Sequence, residues 1–128
     1  MDLISIVDDD ASVRSATVDL LNSFGFACEV YSSAEEYLGS ERIANTSCLI
    51  LDVNMPGLDG LELQSQLKEL GYSTPVIFIT VLPEERTRKQ ATQAGAICYL
   101  PKPYSDAELI GCIRSALARG EIEPCGPS

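Results

Sequence analysis

Histidine is missing from all 128 residues, and its absence removes the Ser-His-Asp, Cys-His and HExxH mechanisms together. Any chemistry has to run on carboxylates, hydroxyls, a lysine or a bound metal. Positive charge is scarce as well: 9 Lys and Arg stand against 19 Asp and Glu, a net charge of −10. So few cations cannot assemble a patch that holds nucleic acid or an anionic membrane directly, whereas a cation or a basic partner suits this surface. No apolar run approaches the roughly 20 residues needed to cross a bilayer. Met1-Asp2-Leu3 leads straight into a strand-like segment with no basic signal-peptide region, so a cytoplasmic protein is expected. CxxC pairs are missing too. The 5 cysteines, Cys28, Cys48, Cys98, Cys112 and Cys125, are scattered, and four of them fall in apolar segments where a thiol behaves as a small hydrophobe. Neither a zinc site nor a disulfide framework is expected. The length suits one domain with a real core and is too short for two.

What the chain does have is a regular alternation. Leu3-Ile4-Ser5-Ile6-Val7 reads as a buried strand that ends in Asp8-Asp9-Asp10. From Ala11, the apolar positions Val13, Ala16, Thr17, Leu20, Leu21 and Phe24 follow helical spacing, with Asp10 as N-cap and Gly25 as the stop. Ala27 to Tyr31 is a second strand, and Ser33-Ala34-Glu35-Glu36 is a capping box opening a short helix through about Leu38. After a loop from Ser40 to Ser47, Cys48-Leu49-Ile50-Leu51 is a third strand ending in Asp52, and Met55-Pro56-Gly57 stops it. The next helix is expected to carry Leu63, Leu67 and Leu70 on one face and to end at Gly71. Val76-Ile77-Phe78-Ile79, closed by Thr80, is a fourth strand, and Glu84 to Gln93 a weakly amphipathic helix stopped by Gly95. Ala96 to Leu100 is the last strand, followed by Pro101-Lys102-Pro103 and a second capping box, Ser105-Asp106-Ala107-Glu108. Its helix buries Leu109, Ile110, Ile113, Ala116 and Leu117 and ends near Arg119. The remaining segment, 120–128, is Gly- and Pro-rich and reads as a flexible tail or the start of a linker. Residues 1–119 are the expected domain. Strands and helices that alternate at these spacings predict an α/β fold, a doubly wound five-stranded parallel sheet covered on both faces.

A carboxylate at a strand end is ambiguous by itself, and on Asp52 alone a cap for the following turn is as good a reading as a site. The other strand ends decide. In a parallel sheet the carboxyl ends of strands one, three, four and five bring Asp8, Asp9, Asp52, Thr80 and Lys102 toward one crevice. Three neighbouring carboxylates repel and need a compensating cation, and an all-oxygen set selects Mg²⁺ or Mn²⁺ over zinc. A carboxylate beside a metal, a lysine and a hydroxyl is equipped to take a phosphoryl group, with Asp52 as nucleophile and Lys102 and Thr80 around the phosphoryl oxygens.

Val7-Asp8-Asp9-Asp10, Leu51-Asp52-Val53-Asn54-Met55-Pro56-Gly57-Leu58-Asp59-Gly60, Ile79-Thr80 and Pro101-Lys102-Pro103 together resemble the receiver domain of two-component response regulators, from about Leu3 to Arg119. The pattern is most like receivers joined to helix-turn-helix outputs. The resemblance implies a flavodoxin-like fold of strand order 2-1-3-4-5 and phosphorylation of Asp52 by a sensor histidine kinase. It implies that Asp9 and Asp52 bind Mg²⁺ directly, that Asp8 acts partly through water, and that Asn54 adds its backbone carbonyl. It places Tyr99 at the family's switch-aromatic position, where the ring reorients as Thr80 moves and changes the face formed by helix 4, strand 5 and helix 5. The outcome it implies is control of a transcriptional output by an attached domain or a downstream protein, and it admits a homodimer on phosphorylation.

Val81 and Leu82 depart from that pattern. The family usually has a smaller residue after the Thr80 position, and an apolar Leu82 lies where a hydrolytic water would approach, so a long-lived phosphoryl state is expected. Tyr99 has an ordinary reading too, that of packing in a terminal strand. Two other functions fit parts of the pattern. A receiver-like interaction module would bind partners without phosphorylation. A haloacid-dehalogenase-like phosphatase would also phosphorylate an Asp beside Mg²⁺, but it needs a second Asp where this chain has Asn54. Otherwise the chain is expected to be a phosphoacceptor switch and no enzyme beyond its own phosphorylation and dephosphorylation.

Overall fold

Apolar runs with no polar alternation can form strands only if both faces of the sheet are covered, and the order of elements supplies that cover. A computed structural model describes residues 3–53, 55, 57–80, 84–102 and 104–122, with the backbone alone at 119–122. Five strands, β1 (Leu3–Val7), β2 (Ala27–Tyr31), β3 (Cys48–Asp52), β4 (Val76–Thr80) and β5 (Cys98–Pro101), alternate with α1 (Ala11–Ser23), α2 (Ala34–Leu38), α3 (Gly60–Glu69), α4 (Glu85–Gln93) and α5 (Asp106–Ile122). All pairings are parallel, in the order β2-β1-β3-β4-β5. This is the expected doubly wound α/β sheet with strand order 2-1-3-4-5. Among the described residues no helix is long and apolar enough to cross a membrane.

Two clusters form the core, one on each face. Val7, Leu49, Leu51 and Phe78 point to the side of α2, α3 and α4, where they meet Tyr37, Leu63, Leu67 and Ala91. Ile4, Ile6, Ile50, Ile77, Ile79 and Leu100 point the other way, onto Leu21 of α1 and Leu109, Ile110 and Ile113 of α5. Each fully buried aliphatic side chain of this kind stabilises the fold by about 1.5–3 kcal/mol relative to exposure. The central strands β3 and β4 are buried at every position, which is why they read as continuous apolar runs. A polar chain threads the first cluster: Tyr37 Oη donates to Thr46 Oγ1, 2.9 Å, and Thr46 Oγ1 is 2.8 Å from Ser5 Oγ.

Helix ends follow local chemistry, with two departures from expectation. Asp10 caps α1 by accepting from Ser12 N and Val13 N, and Ser105 with Glu108 forms the expected capping box. At α2, Ser33 Oγ accepts from Glu36 N, but Glu36 returns to the backbone N–H of Ser32 instead of Ser33. That bond holds the Glu36 carboxyl below its ordinary range. A complete capping box also forms at Asp59 and Glu62, ahead of α3.

Of the three leucines expected on one face of α3, Leu63 and Leu67 are buried while Leu70 is 62% exposed. The helix ends at Glu69, so Leu70 lies past its packed stripe, and Tyr72 N returns to Leu67 O and brings Tyr72 onto the cluster. β5 begins at Cys98 rather than Ala96 and continues to Pro101, and α5 continues to Ile122, three residues beyond Arg119. Residues 123–128 of the expected tail lie outside the described residues. The cysteine expectation also needs correction, because Cys98 and Cys112 are joined by a disulfide. They are 14 positions apart in a CxxC-free sequence, yet α5 packs back against the sheet and brings their Cα atoms to 6.2 Å.

Candidate phosphoacceptor and metal site

Strand register alone lines up one edge of the sheet. Val7 pairs with Leu51, Asp52 with Ile79 and Thr80 with Pro101, so Asp8, Asp52, Thr80 and Lys102 end four neighbouring strands at one level. Oxygens of Asp8, Asp9 and Asp52 lie within 4.8 Å of one another. Asp8 and Asp52 are buried and Asp9 is exposed, so the cluster opens to solvent on one side. Three carboxylates at this spacing could hold a hard divalent cation through oxygen alone, with no thiol or imidazole in the set.

Lys102 supplies positive charge from the protein. Its Nζ is 3.4 Å from Asp8 Oδ2 and 3.8 Å from Asp52 Oδ2. The loop that carries it is held to the sheet, because Lys102 N donates to Thr80 O at 2.7 Å. Asp8 is oriented from both sides: Asp10 N donates to its Oδ1 at 2.9 Å, and its backbone carbonyl accepts from Arg14 Nη1 at 2.7 Å. Thr80 is fully buried. Two residues after Lys102, burial pushes the Tyr104 hydroxyl above its ordinary range, against a smaller opposing effect of a hydrogen bond with Thr17.

The loop after Asp52 is shaped by two glycines and one remote acid. Gly57 adopts φ +75°, a left-handed conformation that costs a residue without a Cβ little. At Gly60 a Cβ would stand 2.8 Å from Asp52 O and 3.2 Å from Val53 Cα, so α3 can start this close to the strand end only because no side chain is there. Glu35 of α2 reaches across and its Oε2 accepts from Leu58 N at 3.2 Å. Met55 is buried in the core.

The chain belongs to the response regulator receiver domain family. The family model for that domain matches residues 4–114, a span that contains every residue of this site. Response regulator protein TodT of Pseudomonas putida is 43% identical over 115 residues, covering 90% of this chain and 51% of the relative. Transcriptional regulatory protein FixJ of Bradyrhizobium diazoefficiens is 33% identical over 118 residues, covering 92% of this chain and 58% of the relative. Against the crystal structure of FixJ-N, the TM-score is 0.84 at 31% identity, with 92% of this chain and 94% of that chain covered. This receiver domain thus spans about half the length of the curated relatives it matches.

In this receiver domain the structure brings together Asp8, Asp9, Asp52 and Lys102, with Thr80 buried on the adjoining strand end. Tyr99 is half-buried against the cluster that contains Phe78 and Ala91, and its hydroxyl is buried with no hydrogen-bond partner among the described residues. Asn54, Val81 and Leu82, singled out from the sequence, lie outside the described residues. Arg14, Glu35 and the close approach at Gly60 were not anticipated. Arg14 follows Asp10 by one helical turn, a spacing at which a long side chain can reach back over the strand end. Nothing in the sequence points from Glu35 to Leu58.

Proposed function

We propose that Asp52 accepts a phosphoryl group from a sensor histidine kinase and that this receiver domain passes the change to the face of α4, β5 and α5. The observation that carries the reading is the pairing of a three-carboxylate cluster with the Lys102 ammonium, 3.8 Å from the proposed nucleophile. An Asp52 carboxylate oxygen attacks phosphorus, the bond from phosphorus to the donor's nitrogen breaks, and that nitrogen takes up a proton. Lys102 moves from pairing two carboxylates to pairing the new phosphoryl oxygens, and the Thr80 hydroxyl donates to one of them.

A bound Mg²⁺, or Mn²⁺ in its place, would neutralise the charge of carboxylates and phosphoryl group together. Asp9 and Asp52 would be its direct ligands, and Asn54 would add a backbone carbonyl. Asp8 would act partly through water, which is supported by its two oxygens already meeting Asp10 N and Lys102 Nζ. Phosphorylation adds about −1.5 to −2 charge at Asp52. Thr80 is drawn toward it, and Tyr99 reorients to follow. The Tyr99 hydroxyl, with no hydrogen-bond partner among the described residues, supports that motion, because a buried donor left unsatisfied costs about 1–3 kcal/mol and gains by reaching water.

Residues 1–119 act as the receiver, and its switched face acts on an output domain or a downstream protein, with a homodimer on phosphorylation as one route. The domain works in the cytoplasm beside the kinase, touching neither nucleic acid nor membrane itself. The test is incubation with acetyl phosphate and Mg²⁺, read by intact mass. One phosphoryl group should add to the wild type, none to Asp52→Asn, and none when the metal is chelated. Absence of any adduct points instead to phosphorylation-independent partner binding, and repeated turnover of a phosphoester points to a phosphatase.

A further inference from the structure

Phosphoryl transfer leaves one pair of reactive side chains without a role. Cys98 on β5 and Cys112 on α5 are joined across 6.2 Å between their Cα atoms. Both are only half-buried, so a small thiol reagent can reach the pair. Cys48 makes the contrast: it is fully buried, and desolvation pushes its thiol up to about 12, which removes the reactive thiolate at neutral pH.

Position makes the bond more than a staple. Cys98 packs in the cluster shared with α5, while the next residue, Tyr99, packs in the opposite cluster with Phe78 and Ala91. Lys102, whose ammonium meets Asp8 and Asp52, follows on the same strand end. A covalent link at Cys98 therefore joins β5 to α5, two of the three elements of the proposed output face. In a reducing compartment, disulfides of mesophilic proteins are usually transient and redox-sensing. The reducing surroundings of this protein rest on its proposed function as a cytoplasmic receiver.

We propose that Cys98 and Cys112 form a reversible dithiol–disulfide exchange site whose reactant is a low-molecular-weight disulfide such as oxidised glutathione. One cysteine thiolate attacks a sulfur of the glutathione disulfide, that bond breaks, and one glutathione leaves as thiolate. The second cysteine thiolate then attacks the protein sulfur of the mixed disulfide and expels the second glutathione. The two protons lost by the cysteines end on the two glutathione thiols; the cysteine pair is oxidised and glutathione disulfide reduced. Closure restrains α5 against β5, and reduction releases it.

The experiment equilibrates the full chain in buffers of varied reduced-to-oxidised glutathione ratio, quenches with acid, alkylates free thiols and maps them by peptide mass. Cys98 and Cys112 should close together with loss of two hydrogens while Cys48 stays a thiol. Amide hydrogen exchange in the first turns of α5 should slow by about tenfold or more in the oxidised form. Cys112→Ser should abolish that redox response with the sheet's exchange pattern retained. The proposal is overturned if both thiols remain alkylatable at oxidising ratios, if the bond survives excess dithiol in the native fold, or if α5 exchange is equal in both forms. Asp52→Asn should show the same redox behaviour, so failure of phosphorylation and failure of thiol exchange read out separately.

Discussion

Lys102 Nζ stands 3.4 Å from Asp8 Oδ2 across 94 positions of sequence, and the same ammonium is 3.8 Å from Asp52. One cation thus offsets two buried carboxylates that otherwise face each other and Asp9. Replacing it by alanine removes that offset. Lys102→Ala should unfold earlier in urea without metal, by about 2 kcal/mol after allowing for the partial exposure of the lysine. Saturating Mg²⁺ should restore more stability to the variant than to the wild type. Equal gains from Mg²⁺ in both proteins would mean that the ammonium and the cation do not answer the same charge.

Gly60 is predicted to tolerate no side chain. The added methyl of Gly60→Ala would meet Asp52 O at 2.8 Å, with Phe78 Cε1 at 3.3 Å. A cost of about 1–3 kcal/mol is expected from overpacking. Because the clash is with the carbonyl of Asp52, divalent-cation affinity, measured by calorimetric titration, should fall as well. Gly111, where an added Cβ meets nothing within 4 Å, is the control: Gly111→Ala should raise helix stability by up to about 1 kcal/mol.

Tyr99→Phe should leave the fold as stable as before or more stable by about 1–2 kcal/mol. It deletes a buried hydroxyl that has no partner among the described residues, and the ring keeps its packing. Urea midpoints of the two proteins make the comparison. A clear loss of stability would reveal a partner for that hydroxyl.

Alkaline stability should report on Cys48. Its folded thiol titrates at about 12 against an ordinary 9.0, so the folded state holds the proton over a range in which the unfolded chain releases it. The contribution is therefore complete below pH 9.0 and is lost progressively as pH rises toward 12. Within that window the wild type should lose up to about 1.4 kcal/mol per pH unit more than Cys48→Ala. Urea midpoints on either side of the ordinary thiol value, in both proteins, measure the difference in slope.

Much of this was legible in the residues. β3 and β4 read as continuous apolar runs because they are buried on both faces, and acids at the ends of such runs imply a site at one edge of a parallel sheet. Asp10, Ser33 and Ser105 announced their helices through local hydrogen bonds. Leu70 did not, because helical spacing says which face a residue shares but not where the last packed turn ends. The return bond of Glu36 to Ser32 also depends on a backbone path that spacing does not specify.

The sequence by itself determined the order of elements, the parallel sheet, and the residues Asp8, Asp9, Asp52, Thr80 and Lys102 at its carboxyl edge, because burial periodicity and turn chemistry act over neighbouring positions. Only the tertiary structure decided that Lys102 pairs with Asp8 and Asp52, that Glu35 reaches Leu58, that Gly60 lies against the Asp52 carbonyl, and that Cys98 meets Cys112. Each of those is a contact between segments whose separation is set by strand order or by how helices pack back on the sheet, and a distance of a few ångströms across such a packing leaves no periodic trace in the chain.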